Sequence, residues 1–394
     1  MEPKLSESVA DWLRYIKNAD EQTLNWLAPH EDTLFSVLQH GLNWEPEFRK
    51  AFELLTLVFP YFALSLAHIE RWSPFLMDAL VTAQDIKYKD LQISVFRWMG
   101  EVSLKLGKHD VARDRFVTVL ERTETDDIND LKLAVYIGLL KAEWFDLKQD
   151  ITQKLVKQAL ETVHLIQDRA LIADFYNALA PAYARKMDTD VALGYGQTAF
   201  AYWMSTNNYS GIGRTAYTLA GVYVYINQLT DNKRFLNNAI SYLDIAREAL
   251  AHTDDVWQHP LLAYQEAVIY FQLEDYGSAS SWFQQSLSEA ENTNSPQYIV
   301  IAQHGLGLAL SKLGQFSLAR RYLRFALKRW EALNNSYEQA SIFVGLADLE
   351  VSAGDKALAK SYVAEGLQYV KEIEDPKMRD FIQIQFQDVL DRLT

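Results

Sequence analysis

Histidines and carboxylates are the side chains through which this sequence could do chemistry, and their spacing decides whether it does. The eight histidines are His30, His40, His68, His109, His164, His252, His259 and His304. No two stand four residues apart, the interval that sets two metal ligands on one helix face, and none has a recognisable set of carboxylates around it. Carboxylate pairs are abundant because the chain holds 52 Asp and Glu, so no pair stands out as a glycosidase-like dyad. The absence of cysteine removes disulfide staples, thiolate zinc sites, iron–sulfur ligation and a Cys nucleophile together. A phosphate loop of the G-x-x-x-x-G-K type, a dinucleotide fingerprint, H-E-x-x-H and G-x-S-x-G are all missing. The residues point to a non-enzymatic protein with no catalytic residue, no metal and no cofactor.

Charge and composition narrow the partners. With 38 Lys and Arg against 52 Asp and Glu, the net charge is −14. Nucleic acid is a poor partner for such a chain, because phosphate neutralisation needs a surplus of cations on one face. Hydrophobic residues at 49% and aromatics at 13% suffice for a core. The 16 Gly and 9 Pro among 394 residues fall well below the roughly 7% and 5% of average usage, so long regular elements with few turns are expected. Glu2, Lys4, Glu7, Asp11, Arg14 and Lys17 leave no apolar stretch of signal-peptide type near Met1, and the expected compartment is the cytoplasm. The uncharged run from Leu54 to Ile69 contains Pro60 and falls short of the ~20 residues a bilayer requires. It reads as a buried helix, with no membrane partner.

The elements that must position any site are set by an internal repeat. A small residue, usually followed by a large apolar one, recurs at Ala79, Val119, Ala159, Ala199, Ala246, Ser286, Ala326 and Gly366, at intervals of 40 with a single 47. A second register runs through Pro60, Gly100, Leu140, Ala180, Ala220, Ala267, Gly307 and Ala347, and a third through Ala112, Ala192, Ala279, Ala319 and Ala359. Apolar spacing between these marks is helical, as in Leu306, Leu310 and Leu313 followed by Phe316, Ala319, Leu323 and Ala326. Each unit is then two antiparallel helices. Two helices approach closely only where a side chain is small, which is why small residues must return at every crossing.

The segment Leu306-Gly307, Leu310, Gly314, Phe316, Ala319, Leu323, Ala326-Leu327 resembles the tetratricopeptide repeat (TPR) consensus. Met99-Gly100, Gly107, Ala112, Phe116 and Leu120 give a second copy, and Leu346-Ala347, Gly354, Ala359 and Leu367 a third. The resemblance spans residues 46–372. Its 40-residue period is similar to that of the sensor regions of maltose-regulator-type signalling ATPases and of Rap-type peptide-sensing regulators. It implies an all-α solenoid of about eight helix pairs in a right-handed superhelix. Residues 1–45 are expected to form an N-terminal helical cap, with helices over 5–18 and 20–42, Asp20 as an N-cap and Gly41 as a terminator. Residues 373–394 are expected to form a C-terminal capping helix, carrying Phe381, Ile382, Phe386, Val389, Leu390 and Leu393. The seven extra residues near 227–238 read as a length variation or as a functional loop.

In such an array the first helices line a concave groove. By register, the inward positions are Arg97, Glu101, Lys105, Trp144, Asp174, Asn177, Arg185, Arg214, Tyr217, Tyr225, Tyr264, Gln265, Gln272, His304 and Lys312. Tyr and Trp offer apolar area with a polar tip, and Arg, Asn and Gln can satisfy an extended peptide backbone. Some of these aromatics could equally fill gaps between helices. The Lys and Asn pairs of the chaperone-binding carboxylate clamp are absent. The expected function is binding of a peptide or protein segment, as a regulator or adaptor, with a separately encoded effector among the expected partners. The alternative is a ligand or signalling-peptide sensor that changes superhelical pitch. Arg320, Arg321, Arg324, Lys328 and Arg329 read as a solvated convex face or as a dock for an acidic partner.

Overall fold

The structure is a computed structural model that describes residues 8–18, 27, 30–62, 66–106, 108–124, 128–143, 149–185, 188–230, 232–253, 258–293, 296–332, 335–373 and 376–393. Among these residues there are nineteen helices and no strand. The chain divides into two compact units, Met1–Ile128 and Asn129–Thr394. Both are built on the forty-residue spacing, and its small positions are buried wherever they are described. Ala159, Ala199, Ala246, Ser286, Ala326, Ala180, Ala267 and Ala347 all have zero exposure.

The first unit holds α1 (Val9–Lys17), α2 (Glu31–Asn43), then the pairs α3 (Phe48–Phe62) with α4 (Leu66–Asp85) and α5 (Lys89–Lys105) with α6 (His109–Arg122). Its core is aromatic. Phe59 packs on Trp98 with ring centroids 5.1 Å apart, and Trp72 sits edge-on to Phe35 at 5.6 Å. Trp72 Nε1 donates to Glu31 Oε1 at 2.7 Å and Arg71 pairs with Asp32, so polar contacts as well as packing fix α2 to α4. Gly41 does not end a helix, since α2 continues to Asn43. A Cβ there would meet Val9 Cγ2 at 2.7 Å and Ala51 Cβ at 2.8 Å, so glycine is needed for the close approach of α1 and α3. Asp20 lies outside the described residues.

The second unit holds six pairs. They are α7 (Asn129–Glu143) with α8 (Gln149–Val163), α9 (Arg169–Arg185) with α10 (Thr189–Thr206), and α11 (Tyr209–Thr230) with α12 (Arg234–Leu250). Then come α13 (His259–Gln272) with α14 (Tyr276–Asn292), α15 (Pro296–Lys312) with α16 (Phe316–Ala332), and α17 (Ser336–Ala353) with α18 (Lys356–Val370). A last helix, α19 (Pro376–Asp391), packs on α17 and α18 and buries Ile382, Phe386, Val389 and Leu393. Helix α9 runs unbroken through Pro181. The seven-residue insertion is no free loop: it lengthens α11 to 22 residues.

The turn inside a pair is itself periodic. Glu274, Gly314 and Gly354 have φ of 64°, 73° and 85°. After each, a backbone N–H reaches back to the last helical turn: Asp275 to Tyr270 O, Gln315 to Leu310 O and Asp355 to Glu350 O. This Schellman closure satisfies the orphan carbonyls of the first helix. Asp275 and Asp355 then accept from the N–H of Ser278 and Leu358 to cap the second helix.

Between pairs, buried ion pairs act as latches. Arg320 on α16 donates through Nε and Nη2 to Glu350 on α17, at 2.7 and 2.8 Å, and Arg247 on α12 pairs with Glu266 on α13. Glu350 is 1% exposed and Glu266 5%. Each would be costly to bury without its arginine.

Candidate partner-binding groove

Successive first helices of the second unit touch one another: α7 with α9, α9 with α11, α11 with α13, α13 with α15 and α15 with α17. Second helices meet mainly the first helices on either side. Closer spacing on the first-helix side makes that side of the unit the concave one.

One register position in this face reads Asn177, Tyr217, Tyr264 and His304 on α9, α11, α13 and α15. All four are partly buried. The Tyr264 ring packs edge-on against core Phe283 at 5.6 Å, and Tyr217 packs against the cluster around Leu243 and Ile269. Each tyrosine therefore fills a gap between helices, and the register that buries its ring belongs to the groove face. Burial raises the Tyr217 hydroxyl, reinforced by the neighbouring hydroxyls of Tyr298 and Tyr264. Tyr264 is raised by burial and then by Glu338, and burial pushes Tyr298 and Tyr337 each up to about 12. These phenols stay neutral at any working pH and can both donate and accept hydrogen bonds.

Two polar atoms of this ladder are buried without a partner among the described residues: Asn177 Oδ1 and His304 Nε2. Burial lowers His304 to about 4, which keeps the imidazole neutral at pH 7. Its Nδ1 lies 3.9 Å from Glu338 Oε2 on α17, and burial pushes the Glu338 carboxyl up to about 7.

Other expected positions tie neighbouring helices together. Arg214 donates to Asp174 at 3.2 Å across α11 and α9, with its guanidinium 5.9 Å from the centre of the Trp203 ring. Arg185 lies within electrostatic reach of Tyr225. Gln272 accepts from buried Asn227 at 2.8 Å, joining α13 to the lengthened end of α11. Lys312 donates to Asp348 at 2.9 Å, and Arg392 binds the same carboxylate. Burial alone would raise Asp348, but these two cations outweigh it and hold the carboxyl below its usual range. Gln265 is half-buried on α13. In the first unit Arg97 pairs with Glu101 at 3.7 Å along α5. Trp144 and the side chain of Lys105 lie outside the described residues. Among the described residues no group of three or more His, Asp or Glu could hold a metal, and no helix is long and apolar enough to cross a membrane.

Residues 259–332 match the tetratricopeptide repeat family. No curated protein matches the chain in sequence. In structure it is similar to a Rap protein solved with competence and sporulation factor, at TM-score 0.55 and 16% identity over 85% of this chain and 98% of that one. The apo form of RapI matches at TM-score 0.50 and 16% identity over 77% and 85%. The Cut9 and Hcn1 assembly of the APC/C matches at TM-score 0.50 and 16% identity, over 96% of this chain and 66% of the other. At such identities the likeness is one of fold. The array is built of tetratricopeptide-type repeats.

The TPR register also accounts for residues that the sequence reading passed over. Tyr298 and Glu338 stand forty residues apart in the first turns of α15 and α17, and Tyr337 precedes Glu338. The expected inward positions run from the second turn of the first helices to their last residues, and these three lie in the first turn. Their shared spacing was the available signal. On the convex side of the TPR unit, Arg320 is taken by Glu350, Arg324 donates to the Tyr362 hydroxyl at 2.9 Å, and Arg321 lies over the rings of Tyr322 and Phe325. Arg320 and Arg324 thus join repeats, while Arg321, Lys328 and Arg329 are exposed.

Proposed function

We propose that the chain is a non-enzymatic, cytoplasmic binding protein that takes a peptide or extended protein segment along the first-helix face of Asn129–Thr394, as a regulator or adaptor. The observation that carries the reading is the ladder Asn177, Tyr217, Tyr264, His304. It sets amphipathic side chains at one register on four successive helices, and two of its buried polar atoms have no partner. Such atoms are expensive to leave unsatisfied, and a peptide backbone can satisfy both once the two side chains turn outward on binding. Arg185, Arg214, Tyr225 and Lys312 flank the ladder, and Arg97 and Glu101 are assigned the same role on α5 of the first unit. TPR arrays are generally without catalytic activity, and the missing catalytic motifs fit that.

The test is selection of a randomised heptapeptide library on the full chain, followed by calorimetry of the selected peptides. Tyr217→Ala and Asn177→Ala, each verified as folded by its helical circular dichroism, should each weaken binding about 10- to 30-fold, as central aromatic and polar anchors do. Undiminished affinity in both would sink the proposal.

A second reading, a sensor that changes pitch on binding, is favoured by the ties that run directly between first helices, Asp174–Arg214, Asn227–Gln272 and Lys312–Asp348. Small rotations at each tie would add along the unit. Small-angle scattering with a saturating selected peptide should then show a changed radius of gyration, whereas a static scaffold leaves it unchanged.

A further inference from the structure

Three buried or half-buried carboxylates of the second unit have a cation of the chain beside them. Glu266 has Arg247, Glu350 has Arg320, and Asp348 has both Lys312 and Arg392. Glu338 does not. No hydrogen bond from any described residue reaches its carboxylate, and the one basic group near it is His304 at 3.9 Å, a neutral imidazole at pH 7. Its side chain keeps 28% exposure, so it opens on the groove face. Tyr264 and Tyr337 both lie within its electrostatic field. Next to this acid, His304 Nε2 is buried with nothing bonded to it.

We propose that Glu338, His304, Tyr264 and Tyr337 form a subsite for one positively charged group, the guanidinium or ammonium of a basic side chain on the bound peptide. The inference rests on the peptide-groove reading and adds a ligand class to it. A carboxylate partly withdrawn from water without a counter-charge binds a cation more strongly than a solvated one does, and the neutral hydroxyls of Tyr264 and Tyr337 can accept from its N–H donors. The neutral imidazole accepts a hydrogen bond from the incoming N–H donors without repelling them. Burial holds the free Glu338 carboxyl near 7, so part of the population is protonated at neutral pH and the arriving cation displaces that proton. Helix chemistry alone explains less. An acid in the first turn of α17 suits the helix dipole, but Asn335 already caps the Glu338 amide, and neither fact calls for tyrosines and a neutral histidine around the carboxylate.

The experiment uses heptapeptides selected from the random library by the full-length protein, and the same selection repeated on Glu338→Gln. The expected result is that wild-type binders share Arg or Lys at one position and the Glu338→Gln binders do not. Replacing that residue by citrulline or norleucine should weaken binding to the wild type at least 10-fold and binding to Glu338→Gln less than 2-fold. Calorimetry in buffers of differing ionisation enthalpy should show proton release with the basic peptide alone. Tyr264→Leu, checked for retained helicity, should reduce the Arg-to-citrulline discrimination while leaving Glu338 in place. If peptides are enriched with no basic preference, or with the same preference in Glu338→Gln, the cation subsite is overturned while the groove stands. If no sequence is enriched, the groove reading itself fails.

Discussion

Two glutamates on α17 sit in opposite surroundings. Glu350, near the end of the helix, is 1% exposed and held by two hydrogen bonds from Arg320 on the helix before it. Glu338, in the first turn, is partly open to the first-helix face and, among the described residues, has no hydrogen bond to its carboxylate and only a neutral histidine near it. The first joins two repeats and has both oxygens engaged. The second is kept in a costly state by its neighbours, and stability given up at one place is the usual mark of a site meant for something else. Within one helix, then, one acid joins a second helix to the next first helix, and the other lies on the first-helix face without such a tie.

The contrast can be broken most forcefully from the latch side. Arg320→Ala leaves Glu350 buried and uncompensated and should cost about 3–5 kcal/mol in urea unfolding. A loss under about 1 kcal/mol would mean that Glu350 is no latch. The next effect has the opposite sign. The Glu338 carboxyl rises from its ordinary 4.5 to about 7 in the folded chain, so its contribution is fully present below 4.5 and is lost as the pH climbs through 7. Glu338→Gln should therefore be more stable than wild type by about 1–3 kcal/mol at pH 8, after allowance for water at the partly open side chain, and equal to it at pH 4.

His304 works in reverse. Its value falls from 6.5 to about 4, so the unfolded chain takes up a proton that the folded chain refuses, and stability is lost as the pH drops from 6.5 towards 4. The two slopes oppose each other in wild type. His304→Gln leaves Glu338 titrating alone, and its stability should rise by about 1–2 kcal/mol as the pH falls from 7 to 5, read from denaturant midpoints. A flat profile would show that the pair is not desolvated. The smallest effect is expected on the convex face. Arg324→Ala removes one hydrogen bond to Tyr362 from an exposed side chain and should cost no more than about 1 kcal/mol without changing peptide affinity.

The fold was legible because its cause is local and repeated. Ala199, Ala267 and Ala326 had to be small at every crossing, and Gly314 and Gly354 had to turn the chain with positive φ. These requirements leave the same mark every forty residues. The first-helix face was legible for the same reason. Asn177, Tyr217, Tyr264 and His304 share a register and lie on successive helices that touch. Gln272 and Lys312 share a register as well, yet they spend their polar groups on Asn227 and Asp348. Register gives the face on which a residue sits and not the partner it finds there. Gly41 misled for a related reason: glycine ends a helix or admits a neighbour, and only the position of Val9 and Ala51 tells which.

The sequence alone determined the pairing of helices, the period, the sites of close approach and the face that the first helices share, since each follows from side-chain size and helical geometry over a few turns. Which acids are neutralised was decided only in three dimensions. Glu266, Glu338 and Glu350 are the same residue type on first helices, and what separates them is whether an arginine from the preceding second helix comes within bonding distance. Electrostatic environment is a sum over neighbours far apart in the chain, and no local pattern records it.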